Sequence, residues 1–267
     1  MVPFSLGKTV VRRAQNLLSG RPIVFHHVPK CGGSSVERAL KMRYPLSYSV
    51  VNPGATWKVT EALTPELDGA AKIAENFRFR EEQLLYWLHH GVQCVMGHVR
   101  FSEHAYEAFH DRYLFAATLR EPVALFNSWF HYGATHPNDR WTITQSMDDF
   151  LASERAADYG RILTFYFSGL SPTEDLCSAE AIERAKKNID ALDVIGFVED
   201  MPSFKKSLER STGVGLRLPH VNKSRVESMA QNEAMTDERR RVIEQLCAPS
   251  VEVYKHARAK VAALAAS

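Results

Sequence analysis

The sequence predicts an α/β fold in which helices flank a central, mostly parallel sheet. Four short apolar runs typical of buried strands lie at residues 23–26, 93–96, 113–119 and 194–197. Segments with helical patterns separate these runs, and no linker divides the 267 residues into two complete sets of strands and helices. We therefore expect a single domain over residues 1–267, with residues 1–20 as an N-terminal extension.

Helices are predicted from start signals and apolar periodicity. The predicted helices span residues 34–42, 122–132, 178–190, 202–211, 236–247 and 250–265. Pro122 and Pro202 suit a first helical turn because proline lacks an N–H that would be unpaired there, and Ser178 and Thr236 are suitable caps. Stretches that carry proline or glycine at 44–54, 131–140 and 213–224 are predicted to be loops.

Composition and charge exclude some classes of protein. The 33 Lys and Arg residues against 31 Asp and Glu give a net charge of +2, which argues against binding nucleic acid through bulk charge. The four cysteines form neither a CxxC metal pair nor a dense disulfide framework. No metal is therefore expected. No signal peptide or membrane-spanning run is evident, so a soluble cytoplasmic protein is expected.

A phosphate-binding turn is predicted between the first strand and the first helix. The segment from Lys30 to Ser35 reads Lys-Cys-Gly-Gly-Ser-Ser. Glycines let backbone N–H groups turn toward one point, and a helix N-terminus adds the positive end of its dipole. Lys30 supplies a point charge, and the hydroxyls of Ser34 and Ser35 are hydrogen-bond donors. The alternative is a tight turn whose Gly32-Gly33 pair serves packing alone.

This turn differs from the Walker A sequence of common nucleotide kinases. In that sequence the lysine follows the glycines, whereas Lys30 precedes Gly32 and Gly33. An ordinary kinase or GTPase is therefore the less favoured interpretation.

A second phosphate site is predicted where the third apolar run passes into a helix. Arg120 leaves the strand end with a planar fork of donors that can bind a phosphate bidentately. Ser128, about two turns into the helix, adds a hydroxyl. On the same helix, Trp129, Phe130 and Tyr132 are expected to be core residues rather than a surface for stacking sugars.

These two motifs resemble those of the Golgi-type carbohydrate sulfotransferases, the uronyl 2-O-sulfotransferases and their bacterial relatives. The family typically carries a His-x-Pro-Lys-Thr-Gly-Gly-Thr-Ser turn and an Arg-Asp-Pro-x-x-Arg-x-x-Ser segment, and both occur here in the same order. The resemblance implies a P-loop-kinase-like three-layer fold and the co-substrate 3′-phosphoadenosine 5′-phosphosulfate (PAPS). It also implies that residues 30–35 cradle the 5′-phosphosulfate while Arg120 and Ser128 bind the 3′-phosphate.

The chain departs from the family pattern at three positions in these motifs. Cys31 replaces the usual threonine, Glu121 the usual aspartate, and Leu125 a frequent arginine. Cys31 is expected to contribute its backbone N–H rather than a reactive thiol. A third segment, residues 218–225, resembles the family's late Pro-His-x-Asn-Lys-Ser stretch, which implies nucleotide contacts from Lys223 and Ser224. Without the resemblance, that segment is only a basic loop.

His98 is the first choice for the catalytic base. It follows a predicted strand, and in α/β sheets the carboxyl ends of strands open onto the ligand. The resemblance implies the same place, because the uronyl 2-O-sulfotransferases carry a Gly-His pair there. Their earlier histidine, however, is Met96 in this chain. A histidine that only hydrogen-bonds within the turn remains the alternative. The other candidates for the base are His26, His27, His104, His131, His136, Glu37 and Glu61.

The sequence thus predicts a sulfotransferase that moves the sulfuryl group of PAPS to a hydroxyl acceptor. Lys30 is expected to stabilise the leaving phosphate as well as to bind the co-substrate. The acceptor is expected to be a carbohydrate, a glycolipid or a related small molecule. A nucleotide-dependent phosphotransferase and a non-catalytic nucleotide-binding module are the alternatives.

Overall fold

The computed structural model describes residues 20–136, 141–218 and 235–266. The strands in these ranges are β1 (Ile23–His26), β2 (Tyr48–Val51), β3 (Cys94–Gly97), β4 (Leu114–Leu119) and β5 (Val194–Phe197). They form one sheet in the order β2-β3-β1-β4-β5, and every neighbouring pair is parallel. Helices cover both faces, so the predicted three-layer α/β fold with a central parallel sheet is confirmed.

Helices occupy most of the segments between strands. They are α1 (Gly33–Arg43), α2 (Pro53–Leu63), α3 (Gly69–His90), α4 (Glu103–Phe109), α5 (Pro122–Thr135), α6 (Met147–Leu151), α7 (Glu154–Gly160), α8 (Ile162–Phe167), α9 (Ala179–Asp190), α10 (Met201–Thr212) and α11 (Asp237–Ala266). Pro122 lies in the first turn of α5, and Ser178 caps α9 by accepting from the N–H of Ala181, as predicted.

Three boundary predictions are wrong. The predicted loop at 44–54 contains β2, an edge strand whose residues are mostly exposed or half-buried and therefore lack a continuous apolar run. Helix α5 extends to Thr135, past the predicted start of a loop at residue 131. The two helices predicted at 236–247 and 250–265 are one, α11, which continues through Pro249.

Tertiary contacts explain why α11 does not break at Pro249. The hydroxyl of the buried Ser250 donates to the carbonyl of Gly160 at 2.6 Å and accepts from the N–H of Leu163 at 3.2 Å. Proline removes one helical hydrogen bond and crowds the preceding turn. Here burial of Pro249 and Ser250 against α7 and α8 offsets that cost.

The side chains of the strands divide the core between the two faces of the sheet. Ile23 and Phe25 pack with Leu40 of α1 and Phe204 of α10 on one face. Val24 belongs to the larger cluster on the other face, which α3 to α5, α7 to α9 and α11 cover. Alternate residues of β1 therefore point to opposite layers, as the period of a strand requires.

The strand order places a crevice at the carboxyl ends of β1 and β4. These neighbours are in register, with His26 opposite Ala117. The chain leaves β1 toward β2 on one side of the sheet and leaves β4 toward β5 on the other. In open α/β sheets ligands bind at such a switch point.

Candidate functional site

The predicted phosphate-binding turn lies at this switch point. It leaves β1 beside β3, since the N–H of His27 donates to the carbonyl of Gly97 at 3.0 Å. Arg120 directly follows β4 at the same edge of the sheet. The fold thus brings together two segments that are far apart in the sequence.

The backbone of the turn is strained at Lys30. Its φ is +62°, and among the described residues it is the single non-glycine residue with positive φ. Gly32, at φ +72°, has a left-handed conformation that glycine adopts without steric cost. A lysine in this region costs about 1–2 kcal/mol, and such strain is concentrated at functional sites.

Gly33 is required because the ring of His27 lies against it. A Cβ at Gly33 would be 2.0 Å from Cδ2 of that ring. The buried His27 donates from Nδ1 to the carboxylate of Glu37 on α1 at 2.8 Å, taking the tautomer that this pairing requires. Gly33, His27 and Glu37 together fix the position of α1 relative to the turn.

The N-terminus of α1 has no side-chain cap. The cap residue is Gly32, and no side chain accepts from the first N–H groups of the helix. Helix α5 differs, because the carboxylate of Glu121 accepts from the N–H groups of Val123 and Ala124. Glu121 is thus a helix cap. In α1 the N–H of Ser35 donates to the carbonyl of Gly32 at 3.3 Å, whereas the N–H groups of Gly33 and Ser34 have no partner among the described residues and can bind an anion.

Lys30 and Arg120 add positive charge beside the turn. Burial lowers the pKa of the half-buried Lys30 ammonium, and the positive charge of Arg120 lowers it further. Within residues 20–136, 141–218 and 235–266, no carboxylate forms an ion pair with either side chain. The nearby carboxylate of Glu199 accepts from the N–H of Glu121 at 2.9 Å rather than from Lys30 or Arg120. Two cations that are close enough to repel each other, neither of them in an ion pair with a described carboxylate, favour an anionic ligand.

Ser128 lies on the face of α5 that is turned toward Lys30. The ring of Tyr132, four residues further along the same helix, has the Lys30 ammonium 4.2 Å from its centre. Residues four apart share one face of a helix, so Ser128 lies one turn closer to Arg120 on that face. On α1, Ser34 is exposed and Ser35 half-buried, so both hydroxyls lie at or near the surface of the turn.

Cys31 is fully buried in the core. Burial raises the pKa of its thiol, so the side chain is not a thiolate at neutral pH. This environment agrees with the prediction that Cys31 is not a reactive thiol. Its backbone N–H, however, donates to the carbonyl of Val28 at 3.3 Å and is therefore already paired within the chain.

His98 follows β3 and contacts the turn directly. Its Nδ1 donates to the carbonyl of His27 at 2.8 Å, and the two rings stack with their centres 4.3 Å apart. Burial, together with the nearby His27 and Arg80, lowers the pKa of His98 to about 3. At neutral pH the ring is therefore uncharged, and its lone pair is on Nε2.

Arg80 is a site residue that the sequence did not reveal. This buried side chain of α3 donates to the carbonyl of His98 at 2.9 Å and to the hydroxyl of Thr56 at 3.1 Å. A charged residue in the middle of a helix normally indicates a solvated face. No sequence pattern distinguishes Arg80 from its exposed neighbours.

The structure separates the other candidates for the base. His26 is fully buried between Phe101 and Phe115, and burial lowers its pKa to about 4. His104 is exposed and pairs with Glu81. Trp57 donates to Glu61 on the exposed surface of α2. Unlike these three candidates, His27 packs against Gly33 and pairs with Glu37 on α1, so His27 and Glu37 lie beside the predicted phosphate-binding turn.

Lys223 and Ser224 lie outside the described residues, as does most of the segment 218–225. Among the residues that are described, no group of three or more His, Cys, Asp or Glu side chains is arranged to hold a metal ion. No helix in the described part of the chain combines the length and the apolar character needed to cross a bilayer.

Comparison of the chain with protein-family models and with curated proteins gives no match in either case.

Proposed function

We propose that this protein is a sulfotransferase that transfers the sulfuryl group of PAPS to a hydroxyl acceptor. The observation that carries the proposal is the position of Lys30 and Arg120. Both cations lie beside the uncapped N-terminus of α1, and no carboxylate in the described ranges pairs with them. This environment suits a ligand with several negative charges.

Two phosphate positions support a 3′,5′-bisphosphorylated nucleotide. The turn from Lys30 to Ser35 offers backbone N–H groups, an ammonium and hydroxyls to the 5′-phosphosulfate. Arg120, which follows β4, and Ser128 on α5 offer a guanidinium and a hydroxyl to the 3′-phosphate. The resemblance assigns the donors of the second segment to a separate 3′-phosphate, and this assignment favours a ligand with two phosphates over one with a single phosphate chain.

Lys30 has a second role in the reaction. Bound PAPS would supply an activated sulfuryl group, whose transfer forms an oxygen–sulfur bond to the acceptor and leaves the electrons of the broken bond on the 5′-phosphate. The Lys30 ammonium stabilises the negative charge that develops on that phosphate oxygen. Because the charge increases during the reaction, Lys30 contributes more to the transition state than to binding.

His98 takes the proton of the acceptor hydroxyl. Its Nδ1–H donates to the carbonyl of His27, which leaves the lone pair of Nε2 as the acceptor. The low pKa keeps this nitrogen unprotonated at neutral pH but also makes it a weak base. A carbohydrate or glycolipid hydroxyl is the proposed acceptor, and the resemblance to carbohydrate sulfotransferases is its support.

Isothermal titration tests the nucleotide specificity. We expect 3′-phosphoadenosine 5′-phosphate to bind at least about 100-fold more tightly than AMP, because a charge-assisted hydrogen bond is worth roughly 1.5–3 kcal/mol and Arg120 can form two. Arg120→Ala should remove most of this preference. Arg112→Ala is the matched control, since that exposed arginine precedes the start of β4, whereas Arg120 follows its end.

Three results would contradict the proposal. Equal affinity for AMP and for 3′-phosphoadenosine 5′-phosphate would show that the protein has no site for a 3′-phosphate. Tighter binding of ATP, with transfer of phosphate, would identify a phosphotransferase. Binding of the bisphosphate without transfer of radiolabel from sulfur-labelled PAPS to any acceptor in a panel of glycans, glycolipids and cell extracts would identify a non-catalytic module.

A further inference from the structure

The aromatic ring of Tyr132 provides a binding surface for the Lys30 ammonium. The nitrogen lies 4.2 Å from the ring centre, within the range of a cation–π interaction. The face of an aromatic ring is its negative region. This contact is notable because no carboxylate of the described segments pairs with Lys30, and Arg120 repels it.

The Tyr132 ring is itself held in place. His136 stacks on it with the ring centres 4.0 Å apart and the planes 24° apart. Trp129 meets it edge to face, with centres 6.3 Å apart. The ring therefore has a fixed position on α5, next to the strained turn.

We propose that Tyr132 is a positioning residue for Lys30, an inference that rests on the proposed function. The ring offsets the repulsion from Arg120 and blocks one side of the ammonium. The remaining N–H bonds then point away from the ring. Without the ring, Lys30 moves away from Arg120 and no longer stabilises the leaving phosphate oxygen in most of the molecules.

A double-mutant cycle tests the proposal against a purely structural role. Tyr132→Leu removes the ring, whereas Tyr132→Phe keeps it and is the matched control. We expect Tyr132→Leu to lower kcat by about three- to tenfold, the range of a partly buried cation–π contact, with a smaller change in the KM for PAPS. Tyr132→Phe should be close to wild type. Tyr132→Leu should have no further effect when Lys30 is already alanine, because the two residues act as a unit.

An NMR measurement reports on the contact independently of turnover. The ε-methylene protons of Lys30 should be shifted upfield by the ring current in the wild type and in Tyr132→Phe, and not in Tyr132→Leu. An equal loss of kcat from Tyr132→Leu in the wild-type and Lys30→Ala backgrounds would overturn the proposal, as would the absence of the upfield shift. A wild type that transfers no sulfuryl group refutes the proposed function instead, and with it the role of Tyr132 in turnover.

Discussion

The strained conformation of Lys30 predicts an unusual order of stability between two variants. Lys30→Gly and Lys30→Ala both remove the ammonium and its contact with Tyr132, so these losses cancel when the variants are compared. The remaining difference in the free energy of unfolding comes from the backbone conformation at residue 30. At φ +62° an L-residue costs about 1–2 kcal/mol relative to its ordinary conformations, and glycine costs almost nothing.

The expected difference follows from two opposing effects. Glycine gives up about 0.5–1 kcal/mol because its unfolded chain has more freedom. Subtracting the midpoint of this range from the midpoint of the strain relief leaves Lys30→Gly more stable than Lys30→Ala by about 0.75 kcal/mol. At an ordinary position in a helix the order is reversed, since alanine exceeds glycine by a similar amount.

Urea unfolding at neutral pH measures this difference. The two variants should have equal m-values and different midpoints, because only stability changes. Both should lose most of the sulfuryl transfer activity, since neither carries a charge at this position. If Lys30→Ala is as stable as Lys30→Gly, or more stable, the backbone at residue 30 is not strained and our reasoning about the turn fails.

Two further predictions concern histidines. His98→Ala should lower kcat by about 10²–10⁴-fold and leave the affinity for 3′-phosphoadenosine 5′-phosphate within about twofold. Because the pKa of His98 is lowered to about 3, the wild-type rate should not fall as the pH is lowered through 6.5. A fall in rate near pH 6.5 that is present in the wild type and absent in the variant would contradict this environment. The pKa of His26 is lowered to about 4, so the ring stays neutral in the folded state, whereas in the unfolded chain it takes up a proton below pH 6.5. His26 alone should therefore lower the free energy of unfolding by about 2 kcal/mol between pH 7 and pH 5. His26→Phe should remove that part of the pH dependence in urea titrations, and an unchanged dependence would exclude His26 as its source.

The strands were predictable where both of their faces are buried. The sequence locates β1 and β5 to the residue and β3 and β4 to within one residue, because each is a continuous apolar run. It fails for β2, because an edge strand with exposed residues has no such run. The single helix α11 could not be predicted either, because the contacts of Ser250 with Gly160 and Leu163 are absent from local sequence.

The site was predictable in its residue types but not in its geometry. A phosphate-binding turn is indicated by a lysine, two glycines and two hydroxyl residues at the start of a helix. A second phosphate site is indicated by Arg120, which directly follows a predicted strand. Positive φ at a lysine has no sequence signal, because that region is normally occupied by glycine. Tyr132 was expected in the core, and only the fold shows that its half-buried ring contacts Lys30, while Trp129 and Phe130 are buried as predicted.

The packing of α11 on α5 also has a consequence for the order in which the molecule is assembled on the ribosome. The thiol of Cys247 donates to the carbonyl of Pro122, the first residue of the helix that follows Arg120. At about 5–20 residues per second, the cover for α5 is synthesised on the order of ten seconds after α5 itself. The half of the anion site formed by β1, β3 and α1 consists of residues made early. The half formed by Arg120 and α5 acquires its final support only when α11 docks, and α1 acquires its own only when Phe204 of α10 has been made, so both halves of the anion site are completed late in synthesis.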